Sequence, residues 1–252
     1  MTGERLPDEG RIEGKNAVIE ALRAGRTIDK VYIAKGEQQD KAMRFISQKA
    51  RANGAVVSEV DRRKLDAMSE THAHQGVIAI AALREYAEIE DILNLAEEKG
   101  EKPLVVVCDE ISDPHNLGAI IRTAEAAGAH GIIIPKHRSA GVTAIVEKTS
   151  AGAVEHMLVA RVPNLVSALE KLKQAGLWIF GTAAEGSKGL WEAEFRDGTA
   201  LVIGSEGSGM SRLTRESCDF LISVPMAGKV SSLNASAAAA VVLYEAVRQR
   251  QR

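Results

Sequence analysis

The sequence has no apolar run long enough to cross a bilayer, although 45% of its 252 residues are hydrophobic. Runs such as PLVVVC and GIIIP are far shorter than the roughly 20 residues that a transmembrane helix requires. The first residues are polar and contain no apolar segment of the kind found in signal peptides. We therefore expect a protein that does not enter a membrane and stays in the cytoplasm.

Cysteine is scarce, since only Cys108 and Cys218 occur. Neither belongs to a CxxC pair or to a Cys/His cluster, which argues against a disulfide framework and against a zinc site. Both lie in apolar or helical surroundings, so we predict buried thiols and no metal site.

The formal net charge of −2 gives no overall sign of nucleic-acid binding, but the charge is unevenly distributed. Residues 41–64 contain only two acidic side chains, Glu59 and Asp61. The basic side chains of this stretch are Lys41, Arg44, Lys49, Arg51, Arg62, Arg63 and Lys64. They form either an RNA-binding surface or ordinary solvated helix faces, and charge counting does not decide between the two.

The periodicity of residues 11–86 predicts a small α/β domain, with no internal repeat or low-complexity segment. We expect helices over residues 16–24, 40–52 and 62–68 and extended segments over 30–34, 55–60 and 76–83. A charged, helical linker over residues 87–102 follows, and Pro103 opens a more apolar region.

Residues 103–252 alternate short β-branched runs with helical segments, which predicts an α/β domain built on a mostly parallel sheet. We expect strands over 104–108, 131–134, 177–181 and 201–203, and helices over 115–127, 164–175 and 234–250. Ligands of such sheets gather at the carboxyl ends of the strands. The loops after these strands are therefore the candidate sites.

The first of these loops, DEISDPHNLGAIIRTAEAAGA, contains Asn116 and Arg122. Asn116 could simply cap the helix, and Arg122 could pair with Glu125 on a solvent face. Alternatively, both side chains present donors to a phosphate or to a developing oxyanion.

The second loop, LVIGSEGSGMSRLT, is rich in glycine but matches neither G-x-G-x-x-G nor GK[ST]. Glu206 would repel a phosphate, so a dinucleotide-dependent oxidoreductase is disfavoured. A backbone pocket for a cofactor with a cationic centre agrees better with that carboxylate, and a mere tight turn is the alternative.

The third loop, SVPMAGKVSSLNASAAAAVVLYEA, leads into the last helix. Ser232 or Asn234 is a suitable N-cap. The run from Ser231 to Asn234 nevertheless carries more hydrogen-bonding groups than one helix end requires.

In this order, the three loops resemble the signature motifs of the SpoU (TrmH-like) branch of the SPOUT RNA methyltransferases. DPHNLGAIIRTAEAAG resembles the first motif, VIGSEGSGM the second and ISVPMAGKVSSLNASAAAAVVLYEA the third, so the likeness covers residues 103–252. Residues 11–83, with IEGKNAVIEAL and HQGVIAI, resemble the RNA substrate-binding extension of the family, which is similar to ribosomal protein L30e.

The resemblance implies a C-terminal trefoil knot, a homodimer, and S-adenosylmethionine (AdoMet) as the cofactor. The implied catalytic residues are Asn116, Arg122, Glu206, Ser232 and Asn234. The implied cofactor-binding residues are Gly204, Val224, Leu233, Met226 and Ser231.

The implied reaction is methyl transfer to a ribose 2′-hydroxyl of RNA, with a guanosine of 23S rRNA as the expected target and no DNA as partner. The alternatives are a tRNA ribose methyltransferase of the same branch and a catalytically silent RNA-binding protein. The substrate-binding extension favours rRNA over tRNA, and the complete catalytic set argues against a silent protein.

Overall fold

The computed structural model describes residues 10–36, 40–69, 71–81, 85–184 and 188–251. The chain divides into two compact units, and the main division falls between Glu85 and Tyr86. Each unit has its own sheet. No helix among the described residues is long and apolar enough to span a membrane.

The first unit contains a four-stranded mixed sheet in the order β1-β4-β2-β3. Its elements are β1 (Arg11–Glu13), α1 (Lys15–Arg23), β2 (Ile28–Ala34), α2 (Lys41–Ala52), β3 (Val56–Val60), α3 (Arg62–Met68) and β4 (Val77–Ala81). Strands β2 and β3 are parallel, whereas β4 is antiparallel to both β1 and β2. The aliphatic side chains of α1 and α2 pack on one face of this sheet and form its main core.

Local signals in the sequence explain where these helices begin and end. Gly25 adopts a positive φ of 73° just after α1, a conformation that favours glycine. The side chain of Asp40 accepts a hydrogen bond from the Ala42 N–H at 2.9 Å and so caps α2. The predicted helices and strands of this unit are thus confirmed within one or two residues, and β4 agrees with its prediction up to Ala81. Residues 82 and 83 of that predicted strand lie outside the described residues.

The second unit is built on a seven-stranded sheet in the order β7-β6-β5-β10-β8-β11-β9. Its strands are β5 (Leu104–Cys108), β6 (Gly131–Pro135), β7 (Leu158–Val162), β8 (Trp178–Thr182), β9 (Lys188–Gly189), β10 (Thr199–Ile203) and β11 (Phe220–Ser223). Its helices are α4 (Ile89–Glu98), α5 (Pro114–Ala126), α6 (Ala144–Thr149), α7 (Leu165–Gln174), α8 (Arg212–Glu216) and α9 (Ala235–Arg250). Every strand pair in the described part of this sheet is parallel, which confirms the predicted α/β class.

Burial on both faces of the sheet explains its continuous apolar strands. All five residues of β5 are buried. Helix α4 lies in the segment expected to be a linker, yet Ile89 and Ile92 are buried in the core of this unit with Val105 and Leu169. The charged residues of α4 led to its assignment as a linker, so its buried apolar face was not predicted.

Strands β1, β7 and the two-residue β9 are absent from the sequence-based assignment. Strand β7 reads LVARV, and Arg161 interrupts its apolar run. Its backbone pairs with β6 from Leu158 to Val162, a contact that no local pattern encodes. The trefoil knot remains a prediction.

Candidate active site

The order of the strands brings the three candidate loops to one edge of the seven-stranded sheet. Strands β5, β10, β8 and β11 are consecutive neighbours and run parallel. Their carboxyl ends therefore face the same side, as expected for the ligand site of an open α/β sheet.

Three predicted site residues form a hydrogen-bonded cluster at this edge. The Asn116 Nδ2 donates to Glu206 Oε1 at 2.7 Å, and the Asn234 Nδ2 donates to Asn116 Oδ1 at 3.0 Å. The Asn234 Nδ2 also donates to Glu206 Oε1. Each of the three loops thus contributes one residue to the cluster. The Oε1 atom of Glu206 accepts hydrogen bonds from both amides.

Asn234 also caps the last helix, which was one of the two interpretations of this residue. Its Oδ1 accepts from the backbone N–H groups of Ser236 and Ala237 at 2.9 and 3.3 Å. With Oδ1 engaged by the helix end, Nδ2 is turned toward Glu206. The first turn of α9 therefore fixes the direction of this amide.

Asn116 is not a helix cap. Helix α5 begins one turn earlier than that interpretation requires, because Asp113 accepts from the His115 N–H at 2.9 Å and Pro114 occupies the first turn. The Asn116 side chain is consequently free of capping and reaches Glu206.

The glycine-rich loop folds back tightly on its own backbone. A Cβ added to Gly204 would lie 2.4 Å from both Gly209 C and Met210 N, so only glycine fits there. Residue Asp109, which is 4% exposed, joins both ends of the loop. Its N–H donates to Ile203 O at 2.8 Å, and its Oδ2 accepts from the Ser211 N–H at 2.7 Å.

A pocket of about 390 Å³ opens beside this loop. The predicted residues that line it are Gly204, Glu206, Val224, Met226, Ser231, Ser232 and Leu233. All five predicted cofactor positions therefore share one cavity with Ser232 and Glu206. Its volume lies in the range of small-molecule sites, roughly 300–1,000 Å³.

Sequence reasoning missed one wall of the pocket, formed by Thr182, Ala183 and Ala184. Thr182 is the last residue of β8 and the two alanines follow it, and β8 lies between β10 and β11 in the sheet. The strand over 177–181 was predicted, but its position between two loop-bearing strands was not. The place of this segment at the carboxyl end of a predicted strand was a signal that the sequence did offer.

Arg122 stands apart from the cluster. It lies about 9 Å further along α5 than Asn116 and about 120° around the helix axis, and its side chain is exposed. Within the described part of the chain it makes no hydrogen bond or ion pair, so the pairing with Glu125, one of the two interpretations of this residue, is not observed.

Both thiols are poor nucleophiles. Burial raises the pKa of Cys108 and of Cys218 to about 12, so both remain protonated at neutral pH. Cys108 is fully buried as predicted, whereas Cys218 is only partly buried. Among the described residues, no group of three or more His, Cys, Asp or Glu side chains is placed so that it could hold a metal ion.

The fold and the pocket define an α/β protein with a ligand site at the carboxyl edge of a parallel sheet. Residues 103–244 match the model of the SpoU rRNA methylase family, and residues 11–87 match that of the RNA 2′-O ribose methyltransferase substrate-binding domain. The chain belongs to the SpoU methylase family, which confirms the resemblance inferred from its motifs.

Relatives of known name agree with this assignment. The chain is 50% identical over 237 residues to YacO of Bacillus subtilis, which its name assigns to the TrmH family of tRNA/rRNA methyltransferases; the match covers 94% of each chain. An AdoMet-bound rRNA methyltransferase from Sinorhizobium meliloti is 27% identical with a TM-score of 0.59, over 94% of this chain and 86% of the other. A TrmH/SpoU tRNA modifying enzyme from A. aeolicus is 32% identical with a TM-score of 0.55, over 64% of this chain and 84% of the other.

Proposed function

We propose that this chain transfers a methyl group from AdoMet to the 2′-hydroxyl of a guanosine ribose in 23S rRNA. The observation that carries the proposal is the single pocket shared by all five expected cofactor positions and by Glu206 and Ser232. The proposal places the protein in the cytoplasm, together with the rRNA on which it acts.

The residues of the pocket fit AdoMet. Ile203, Ile222 and Val224 provide apolar surface for an adenine ring, and the glycine-rich loop provides backbone groups close to the cavity. The Glu206 carboxylate supplies the negative charge that a cationic sulfonium requires. When bound, AdoMet supplies an activated methyl group and leaves as a neutral thioether.

Glu206 is held in place by its two amide partners. The side-chain amides of Asn116 and Asn234 both donate to Oε1, and Asn234 is itself anchored by the first turn of α9. We assign Asn116 and Asn234 as positioning residues that orient Glu206 toward the pocket. Ser232, which is exposed in the same pocket, provides a hydroxyl for orienting the ribose.

In our proposal the protein is a homodimer, and Arg122 acts in a site formed with a second copy. Arg122 is exposed on α5, which packs against α9. Residues 235–244 of helix α9 are alanine, valine and leucine apart from Ser236 and Tyr244, and Tyr244 is 51% exposed. Such a surface is typical of a subunit interface. Across it, the guanidinium of Arg122 holds a phosphate next to the target ribose and stabilises the developing alkoxide.

The choice of rRNA over tRNA rests on the first unit of the chain. The similarity to the rRNA methyltransferase from Sinorhizobium meliloti extends over 94% of the chain, whereas that to the tRNA modifying enzyme extends over 64%. Because YacO is named for both RNA classes, the tRNA activity is the second candidate.

The test is the transfer of labelled methyl from AdoMet to purified 23S rRNA and to tRNA, both lacking native modification, followed by mapping of alkali-resistant linkages. A label at one guanosine ribose of 23S rRNA is the expected result. Label in tRNA alone would replace the substrate in our proposal, and AdoMet binding without transfer to either RNA would contradict catalysis on free RNA.

A further inference from the structure

The pocket beside the glycine-rich loop, where we propose that AdoMet binds, is called the methyltransferase pocket. A second cavity of about 400 Å³ lies in the same unit, and the two cavities share no residue. One wall consists of the rings of Trp178, Phe180 and Phe220. We call this cavity the aromatic pocket. Trp178 and Phe220 are the first residues of β8 and β11, whereas the methyltransferase pocket lies at the opposite ends of the same strands.

The strand register creates the aromatic wall. Trp178 and Phe180 alternate onto one face of β8, and Phe220 of β11 pairs with Phe180 in the sheet. The Phe180 and Phe220 rings are stacked with centroids 5.0 Å apart, and Trp178 leans on Phe220 at 5.7 Å. Phe180 is 2% exposed and anchors the wall, while Trp178 is 49% exposed. A large, flat ring surface is therefore offered to solvent on a rigid support.

Charged side chains of both signs line the same pocket. Residues 193–197 alternate, so that Ala193 and Phe195 are buried while Glu194 and Arg196 are exposed. Asp197 and Lys188 also line the cavity, and the Lys188 ammonium lies 5.5 Å from the centre of the Phe220 ring. Within the described ranges, none of these four charged side chains forms an ion pair.

We infer that the aromatic pocket binds a guanine nucleotide of the RNA, outside the methyltransferase pocket. This inference rests on the proposed RNA substrate. A nucleobase stacks on the exposed face of Trp178, as bases do on aromatic platforms of RNA-binding proteins. The carboxylate of Glu194 accepts hydrogen bonds from the N1–H and N2–H groups of guanine, since an ionised carboxylate only accepts. The cationic side chains of Arg196 and Lys188 bind the phosphate groups of the nucleotide.

The mixture of charges favours a nucleotide over a protein surface. A second protein chain that covered the aromatic wall would bury two carboxylates and two cations, which is costly without matching partners. A guanine nucleotide offers a π-face, two adjacent donors and an anionic phosphate, which together match the three kinds of group in the pocket. Uracil lacks the amino group, so its nucleotides should bind more weakly.

The two tryptophans of the chain provide a direct assay, because the aromatic pocket contains one of them and the other is Trp191. In the variant Trp191→Phe, all tryptophan fluorescence arises from Trp178. We expect GMP to quench it with saturation, and UMP to require at least about fivefold more ligand, the equivalent of one lost hydrogen bond. In Trp191→Phe with Glu194→Gln, the preference for GMP should disappear.

Binding of an rRNA fragment gives an independent measurement. Trp178→Ala should weaken RNA binding by roughly 5- to 150-fold, the range for loss of one stacked base. Trp191→Ala is the matched control, since Trp191 is 60% exposed and lies outside the pocket. Both variants should bind AdoMet as the unmodified protein does, which confirms that they fold.

Unchanged fluorescence with GMP, together with equal RNA affinity of the two alanine variants, would overturn the inference. So would a Trp178→Ala protein that loses self-association in sedimentation, because the pocket would then be a subunit contact. Methyl transfer to rRNA is measured in parallel: if it proceeds while GMP causes no quenching and the two alanine variants bind RNA equally, this inference fails and the proposed function stands. If quenching occurs without methyl transfer, the nucleotide site stands and the proposed reaction fails.

Discussion

Gly204 offers the sharpest test of how the glycine-rich loop forms the pocket. In Gly204→Ala the new Cβ would lie 2.4 Å from Gly209 C and Met210 N, whereas real Cβ contacts essentially never fall below 3.0 Å. The chain from Gly209 to Met210 must therefore retreat by at least about 0.6 Å, since neither atom belongs to a flexible side chain. Both Gly209 and Met210 line the pocket, so the retreat changes the cofactor site directly.

Overpacking of this kind costs about 1–3 kcal/mol. If the loop of the free protein shifts and so relieves this strain, AdoMet binding has to restore the strained geometry. The affinity for AdoMet should then fall by roughly 5- to 150-fold, at about 1.4 kcal/mol per tenfold. Isothermal calorimetry measures the affinity, and urea unfolding measures the strain that persists in the free protein. Gly228→Ala is the control, because a Cβ there meets nothing within 4 Å. A Gly204→Ala protein that keeps both its stability and its AdoMet affinity within twofold would refute the reasoning.

Three further predictions concern catalysis, RNA binding and pH. Arg122→Ala should lose at least about 100-fold in turnover, as for removal of one oxyanion-stabilising donor, while calorimetry shows unchanged AdoMet affinity. Replacing Arg62, Arg63 and Lys64 by glutamine should weaken RNA binding and reduce the slope of log K against log salt by up to about 2.7, roughly 0.9 per phosphate contact. Burial lowers the pKa of His130 below its usual 6.5, with Glu101 acting in the opposite direction. Its contribution to stability should therefore be complete above pH 6.5 and decline as the pH falls toward the lowered pKa, by up to about 1.4 kcal/mol per pH unit in urea unfolding.

The structure supplies the reason for each expectation and a control for each measurement. Arg122→Lys keeps the charge but loses the planar fork, so a full rescue by lysine would argue against a bidentate contact with the phosphate. The basic side chains of residues 62–64 are exposed, and unchanged salt dependence would identify them as a solvated helix face. The Nδ1 of His130 accepts from the Leu104 N–H at 3.0 Å, which requires the unprotonated nitrogen. His130→Gln should remove this part of the pH dependence, and equal pH slopes for both proteins would contradict the assignment.

The sequence alone determined most of the local structure of this protein. Apolar runs marked all of β5 and the last three residues of β10, helical spacing marked α2, and the candidate cap Asn234 marked the start of α9. These signals are local, because a few neighbouring residues are enough to specify a buried strand, the apolar face of a helix or a helix cap. The three loop motifs also lie within short segments, and for that reason the family resemblance was visible before any fold was known.

Only the tertiary structure decided which groups meet. Asn116 and Asn234 are 118 residues apart, and their contact depends on the position of β5, β10 and β11 in one sheet. The same strand order places Thr182, which was not predicted as a site residue, in the pocket. Strand β7 belongs to the sheet because its backbone pairs with β6, although Arg161 interrupts its apolar run. The helix start at Pro114 likewise turned Asn116 toward Glu206 and left Arg122 exposed on another face of α5. Strand order and side-chain direction arise from packing between distant segments, and no periodicity within one segment records them.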